Sequence, residues 1–162
     1  MKEGQKVAVV TGAGTGVGKA VAQIFLQHGY CVALAGRREA LLHSVVSEAS
    51  ADSQSTLCQQ TDVGCAEDVD SLFDATVGRF GRIDVLFNNA GIGARPIDID
   101  ELPLAEWQAV LNTNVHGAYL CARRAFGQMK SQDPKGGRII NNGSISASMP
   151  RVNSTPYTVS KH

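Results

Sequence analysis

The chain alternates between two hydrophobic periods. Val7-Ala8-Val9-Val10 is an unbroken apolar run, the pattern of a short strand buried on both faces. Val17, Val21, Ile24 and Phe25 then recur at helical spacing, and Gly29 marks the helix end. Cys31-Val32-Ala33-Leu34-Ala35 predicts a second strand, and Leu41, Leu42, Val45, Val46 and Ala49 a second helix. Ser55 to Gln59 gives a weaker third strand ending at Thr61-Asp62-Val63. Val69, Leu72, Phe73, Thr76 and Phe80 give a third helix. Ile83 to Phe87 reads as strand four, and one long helix runs from Leu104 to Lys130 with Trp107, Leu111 and Val115 on one face. Gly137 to Asn142 is strand five, and Ser144 to His162 follows, interrupted by Pro150 and Pro156. Strands that alternate with helices predict an α/β fold: three layers, with a doubly wound parallel sheet of the Rossmann type. No repeat or linker divides the chain, so residues 1–162 read as one domain.

Composition narrows the function. Apolar residues make up 43% and charged residues 19%, the balance of a globular chain with a core. Fifteen basic residues offset fifteen acidic ones, which gives no reason to expect nucleic acid or an anionic membrane as partner. No apolar run reaches the length of a membrane span, and Met1 to Lys6 leads into the first strand without a secretory signal. Cys31, Cys58, Cys65 and Cys121 have no C-x-x-C spacing; they read as reduced packing residues of a cytoplasmic protein, and no metal site is expected.

The chemistry starts at the first strand's end. Thr11-Gly12-Ala13-Gly14-Thr15-Gly16-Val17-Gly18 joins a strand to a helix, the arrangement in which unpaired helix N–H groups and the helix dipole receive phosphate. The common G-x-G-x-x-G fingerprint fails here, because Val17 stands where it needs glycine. The spacing that fits is T-G-x-x-x-G-x-G, through Thr11, Gly12, Gly16 and Gly18. Gly12, Thr15, Gly16, Val17 and Gly18 are thus the candidate dinucleotide cradle. Strand two ends in Gly36 with no carboxylate, and Arg37 follows; a guanidinium there suits the 2′-phosphate of NADP(H), with NAD(H) as the alternative. A solvated helix-start arginine competes with that reading, and Arg38 could share the role. Asp62 and Val63 sit beside the expected adenine position, where Asp62 is equally well explained as a helix cap. Asn89, Ala90 and Gly91, after Asn88, lie at the carboxyl edge of strand four, where open sheets bind ligands; a plain turn explains them almost as well.

Tyr157 and Lys161 are four residues apart and share a helix face. A free phenol has a pKa of about 10, and lowering it by ~3 units requires about 4 kcal/mol. An ammonium ~4 Å away at an effective dielectric near 20 supplies a term of that size. Tyr157 is therefore a candidate general acid or base on a carbinol or carbonyl oxygen. Ser144 could hydrogen-bond the same oxygen, with Ser146 and Ser148 as neighbours that compete for that assignment. Asn114 sits inside the long helix, where it reads as the holder of a relay water or as a satisfied core amide.

Taken together, Thr11-Gly12-x-x-x-Gly16-x-Gly18, Asn88-Asn89-Ala90-Gly91, Asn114, Ser144 and Tyr157-x-x-x-Lys161 closely resemble the short-chain dehydrogenase/reductase family. The resemblance covers essentially the whole chain. It implies hydride transfer between a nicotinamide cofactor and a secondary alcohol or ketone, with Asn114, Ser144, Tyr157 and Lys161 as a catalytic tetrad. Tyr157 and Lys161 would also contact the cofactor. Glycine then arginine after strand two looks like the NADP-preferring members. Family members are usually longer, so the resemblance implies that C-terminal strands and helices are missing. The longer parent would be a homodimer or homotetramer. A catalytically inactive nucleotide-binding fragment or interaction protein is the alternative. The substrate is not readable from Ile92 to Leu102 or from Ile145 to Pro156.

Overall fold

A computed structural model describes residues 4–162. The expectation about a secretory signal rests partly on Met1, Lys2 and Glu3, which lie outside the described residues. The elements run β1 (Val7–Thr11), α1 (Gly16–Gln27), β2 (Cys31–Gly36), α2 (Glu39–Glu48), β3 (Thr56–Gln60), α3 (Ala66–Phe80) and β4 (Val85–Asn88). They continue with α4 (Leu104–Leu111), a π turn (Asn112–His116), α5 (Gly117–Ser131), β5 (Arg138–Asn141) and α6 (Thr155–Lys161).

The five strands form one parallel sheet in the order β3-β2-β1-β4-β5. The chain winds outward from β1 to β3, then crosses back to lay β4 on the other side of β1. That reversal opens a crevice at the carboxyl ends of β1 and β4. Alternate strand residues serve opposite faces. Val9, Ala33, Ala35 and Leu86 join Val69, Leu72 and Phe73 of α3 and Cys121, Ala125 and Met129 of α5 in one core. Val10, Val32, Leu34 and Phe87 join Ala22 of α1 and Leu42 and Val45 of α2 in the other. This is the expected three-layer architecture. Leu72 is 0% exposed. Leu72→Ala is expected to lower stability by about 2–5 kcal/mol, read as the shift of the urea unfolding midpoint at constant slope.

The α3 face agrees residue for residue: Val69, Leu72, Phe73, Thr76 and Phe80 are all buried. Two other helices turn a different stripe inward. On α1 the buried residues are Gly18 and Ala22, with Val21 and Phe25 half-covered, while Val17 and Ile24 are more than half exposed. The expected long helix is continuous from α4 through the π turn into α5, but its buried residues are Val110, Asn114, Gly117, Leu120, Cys121, Ala125 and Met129. Trp107 and Leu111 are half-buried and Val115 is exposed. The reason is close approach. A Cβ on Gly117 would lie 2.6 Å from Val63 Cγ2 and 2.9 Å from its carbonyl oxygen. Where the helix backbone comes so near the loop after β3, only small residues fit, and a stripe chosen by size of apolar side chain misses them.

Strand four begins later than the expected Ile83, at Val85. Ile83 is fully buried before the strand, and the Gln132 amide stands in for a sheet neighbour: its Oε1 accepts Ile83 N–H at 2.9 Å and its Nε2 donates to Ile83 O at 2.8 Å. Burial with satisfied backbone groups is what makes this residue read as strand.

Candidate active site

The crevice is built from the glycine turn upward. Gly12 holds φ at +64°, a left-handed conformation that a side chain would strain. A Cβ on Gly18 would fall well inside the radius of the Gly12 carbonyl oxygen and lie 2.6 Å from Asn89 Nδ2. The turn thus folds back over the first turn of α1. Thr15 begins that helix without any side-chain cap, which leaves its first N–H groups toward the opening.

Strand four locks onto the same turn. Thr11 Oγ1 accepts Asn89 N–H at 2.9 Å and Ala90 N–H at 3.0 Å, and Asn89 Nδ2 donates to Thr11 O at 2.9 Å. The resulting cleft holds about 320 Å³, a volume suited to a small ligand. Gly12, Thr15, Val17, Arg37, Asp62, Val63, Asn89, Ala90 and Gly91 all line it. Gly16 and Gly18 shape the turn from behind. Leu41, Leu42, Thr61 and Thr113 also line the cleft and were not named as contacts beforehand; Gly14, Gly36 and Ile92, which line it too, lay in stretches already singled out.

The lip beside β2 is basic. Arg37 and Arg38 are exposed, and among the described residues neither guanidinium has an ion-pair or hydrogen-bond partner. Glu39, the nearest acid on α2, is turned instead toward His43 at 3.6 Å. Asp62 Oδ1 accepts Gly64 N–H at 2.9 Å, and Asp62 N–H is held by Asp68 Oδ2 at 2.8 Å, so the Asp62 carboxylate is fixed at the cleft wall.

Asn114 lies in the π turn, 6% exposed. Its Oδ1 accepts Ile92 N–H at 2.8 Å, and its Nδ2 donates to Ile92 O at 2.9 Å and to Ser160 Oγ at 2.9 Å. Both amide protons are spent on joining the loop after β4 to α6. That loop is clamped again by Arg95, which holds the Glu106 carboxyl below its ordinary range through direct hydrogen bonds.

Ser144, Tyr157 and Lys161 are not among the residues that line this cleft. Ser144 Oγ accepts Ser146 N–H at 3.1 Å, capping a short 3₁₀ turn at the end of β5. Helix α6 packs against this turn and against α4. Tyr157 is half-buried there, and Lys161 Nζ lies 5.7 Å from the centre of its ring. The same Nζ donates to Asn142 O at 3.1 Å. Asn142 and Ser160 were not legible beforehand, since no spacing rule singles them out.

The cysteines take no part. Burial pushes the Cys121 thiol up to about 12, which keeps it neutral, and all four are free thiols. Among the described residues no cluster of acidic, histidine or cysteine side chains could hold a metal ion, and no helix is long and apolar enough to cross a membrane.

A parallel sheet with its glycine turn, switch-point cleft and flanking Tyr–Lys helix defines a nucleotide-binding α/β protein. More closely, the chain belongs to the short chain dehydrogenase family, whose model matches residues 6–162. It is 39% identical over 159 residues to secoisolariciresinol dehydrogenase from Forsythia intermedia, covering 97% of this chain and 56% of that one. It is 36% identical to a 3-oxoacyl-[acyl-carrier-protein] reductase from Synechocystis sp., covering 96% of this chain and 62% of the relative. The crystal structure of a 3-ketoacyl-(acyl-carrier-protein) reductase from Brucella melitensis, complexed with NADH, superposes with a TM-score of 0.90 at 33% identity, over 96% of this chain and 64% of that one. A variant of actinorhodin polyketide ketoreductase with NADPH gives 0.89 at 30% identity, over 98% and 60%. The chain spans roughly three fifths of the length of these proteins.

Proposed function

We infer that the cleft binds NADP(H) and that the protein transfers a hydride between this cofactor and a secondary alcohol or ketone. The observation that carries the cofactor choice is the pair of unpartnered guanidiniums, Arg37 and Arg38, on the lip where β2 ends in Gly36. A 2′-phosphate is the group such a lip suits, because a planar fork binds phosphate oxygens in pairs. The pyrophosphate fits the backbone of Gly12 and Gly14 and the uncapped start of α1, where no Cβ intrudes. The fixed Asp62 carboxylate suits the adenine amino group, and Val63 supplies an apolar wall.

The bound nicotinamide supplies or accepts the hydride. This chain's residues handle the proton. Tyr157 gives its phenolic proton to the substrate carbonyl oxygen during reduction and recovers it during oxidation. Lys161 Nζ lies beside the ring, 5.7 Å from its centre, and is held there by Asn142 O. Ser144 Oγ uses its lone pair on Ser146 N–H, which leaves its hydroxyl proton for the substrate oxygen. Asn114 ties α6 to the loop after β4. Exposed apolar side chains at Ile145, Met149 and Val152 border this end and favour a substrate with an apolar body.

Titration with NADPH and NADH tests the reading. NADPH is expected to bind more tightly by about tenfold or more. Arg37→Ala removes a charge-assisted contact of roughly 1.5–3 kcal/mol, so it should weaken NADPH about 10- to 100-fold and leave NADH unchanged. NADH binding as tight as NADPH, or equal loss of both in the variant, would overturn the assignment.

A further inference from the structure

We propose that Asn142 is a positioning residue that couples the nucleotide turn to the amine of Lys161. The proposal rests on the reading of Lys161 given above and adds a residue to it. Asn142 follows β5 and is half-buried. Its side chain and its backbone face two different partners. Nδ2 donates to Asn89 Oδ1 at 2.9 Å, and the backbone carbonyl accepts Lys161 Nζ at 3.1 Å. Asn142 N–H in turn donates to Asn88 O at 3.0 Å, which extends the β4–β5 ladder by one bond.

From Asn89 the path continues into the cleft. Asn89 Nδ2 donates to Thr11 O at 2.9 Å and leans on Gly12 O at 3.4 Å. One line of hydrogen bonds therefore runs from the glycine turn through Asn89 and Asn142 to Lys161, across β1, β4 and α6. Its direction is fixed. Asn89 must point its amide nitrogen at the turn's carbonyls, so it presents only an oxygen to residue 142, and residue 142 must donate. Asparagine supplies that donor at the required reach; leucine of similar shape supplies none, and aspartate would set oxygen against oxygen. Without the donor, the Asn142 carbonyl loses one of its two lateral supports and Lys161 loses a fixed acceptor.

The experiment is a double-mutant cycle on the full chain, with two readouts. The first is NADPH affinity for wild type, Asn142→Leu, Lys161→Met and the double variant. The second needs no ligand: the side-chain ¹⁵Nζ–¹H signal of Lys161, assigned by its loss in Lys161→Met. A hydrogen bond slows the exchange of a lysine's ammonium protons with water, which sharpens this signal at neutral pH. Asn142→Leu should weaken NADPH roughly fivefold or more, the worth of about one hydrogen bond. It should have little further effect in the Lys161→Met background, and the Lys161 amine signal should fade. Asn142→Asp should behave like Asn142→Leu. A merely structural asparagine would give additive losses and an unchanged amine signal, and that result overturns the proposal. If wild type binds no NADPH, the cofactor reading has failed on its own. The amine signal then decides alone: fading in Asn142→Leu supports the coupling and persistence rejects it.

Discussion

Gly18→Ala is expected to weaken nucleotide binding strongly while the sheet stays folded. The added Cβ meets backbone first: it intrudes on Gly12 O and lies 2.8 Å from Gly12 C, besides pressing the Asn89 side chain. The Gly12 peptide cannot swing aside as a side chain can. Either α1 slides outward or the turn opens. Overpacking of this kind costs about 1–3 kcal/mol. The loss of affinity should be larger, roughly tenfold to a hundredfold, since a displaced backbone cradle no longer points its N–H groups at the phosphates. Calorimetric titration with NADPH, paired with a thermal melt, separates the two effects. The control is Gly16→Ala. Gly16 also has positive φ, at +55°, but its Cβ would meet nothing within 4 Å. That variant should lose stability modestly and keep more of its affinity.

Tyr157→Phe should carry the second large effect. Removing the phenolic oxygen deletes the only side-chain proton donor proposed for transfer to the substrate. Turnover of a ketone, followed as NADPH absorbance, should fall by about 10²–10⁴. The ring remains, so the contact with Lys161 and the packing of α6 are kept. NADPH affinity and melting temperature should therefore stay close to wild type. A variant that keeps its rate would remove Tyr157 from the chemistry. A variant that loses affinity as much as rate would make it a binding residue instead.

Much of the fold could be read from periodicity, and the failures share one cause. Helix α3 was legible because its core stripe is made of large apolar residues that pack at ordinary distance. The helices α1 and α4–α5 were also expected, but their inward faces were not, because those lines contain Gly18, Ala22, Gly117, Cys121 and Ala125. Close packing selects for smallness there, and a hydrophobic pattern does not register smallness. The π turn at Asn112–His116 left no mark either, since an extra residue in a helix changes spacing only once the fold is known.

The β1–β4 cleft was partly legible for a related reason. Its floor is a glycine turn, and glycines at fixed offsets report such a turn directly. The region around Tyr157 and Lys161 depends on side chains brought from distant segments. Asn114 meets Ile92 and Ser160, and Asn142 meets Asn89 and Lys161, through contacts that span 19 to 53 residues. No local spacing encodes such meetings.

The most direct measurement is a crystal structure of the chain soaked with NADP⁺. The account predicts the 2′-phosphate between Arg37 and Arg38, the pyrophosphate over Gly12 to Gly16, and the nicotinamide ring turned toward Tyr157 and Ser144. A nucleotide bound with its adenine end at α6, or density only outside the β1–β4 crevice, would contradict it.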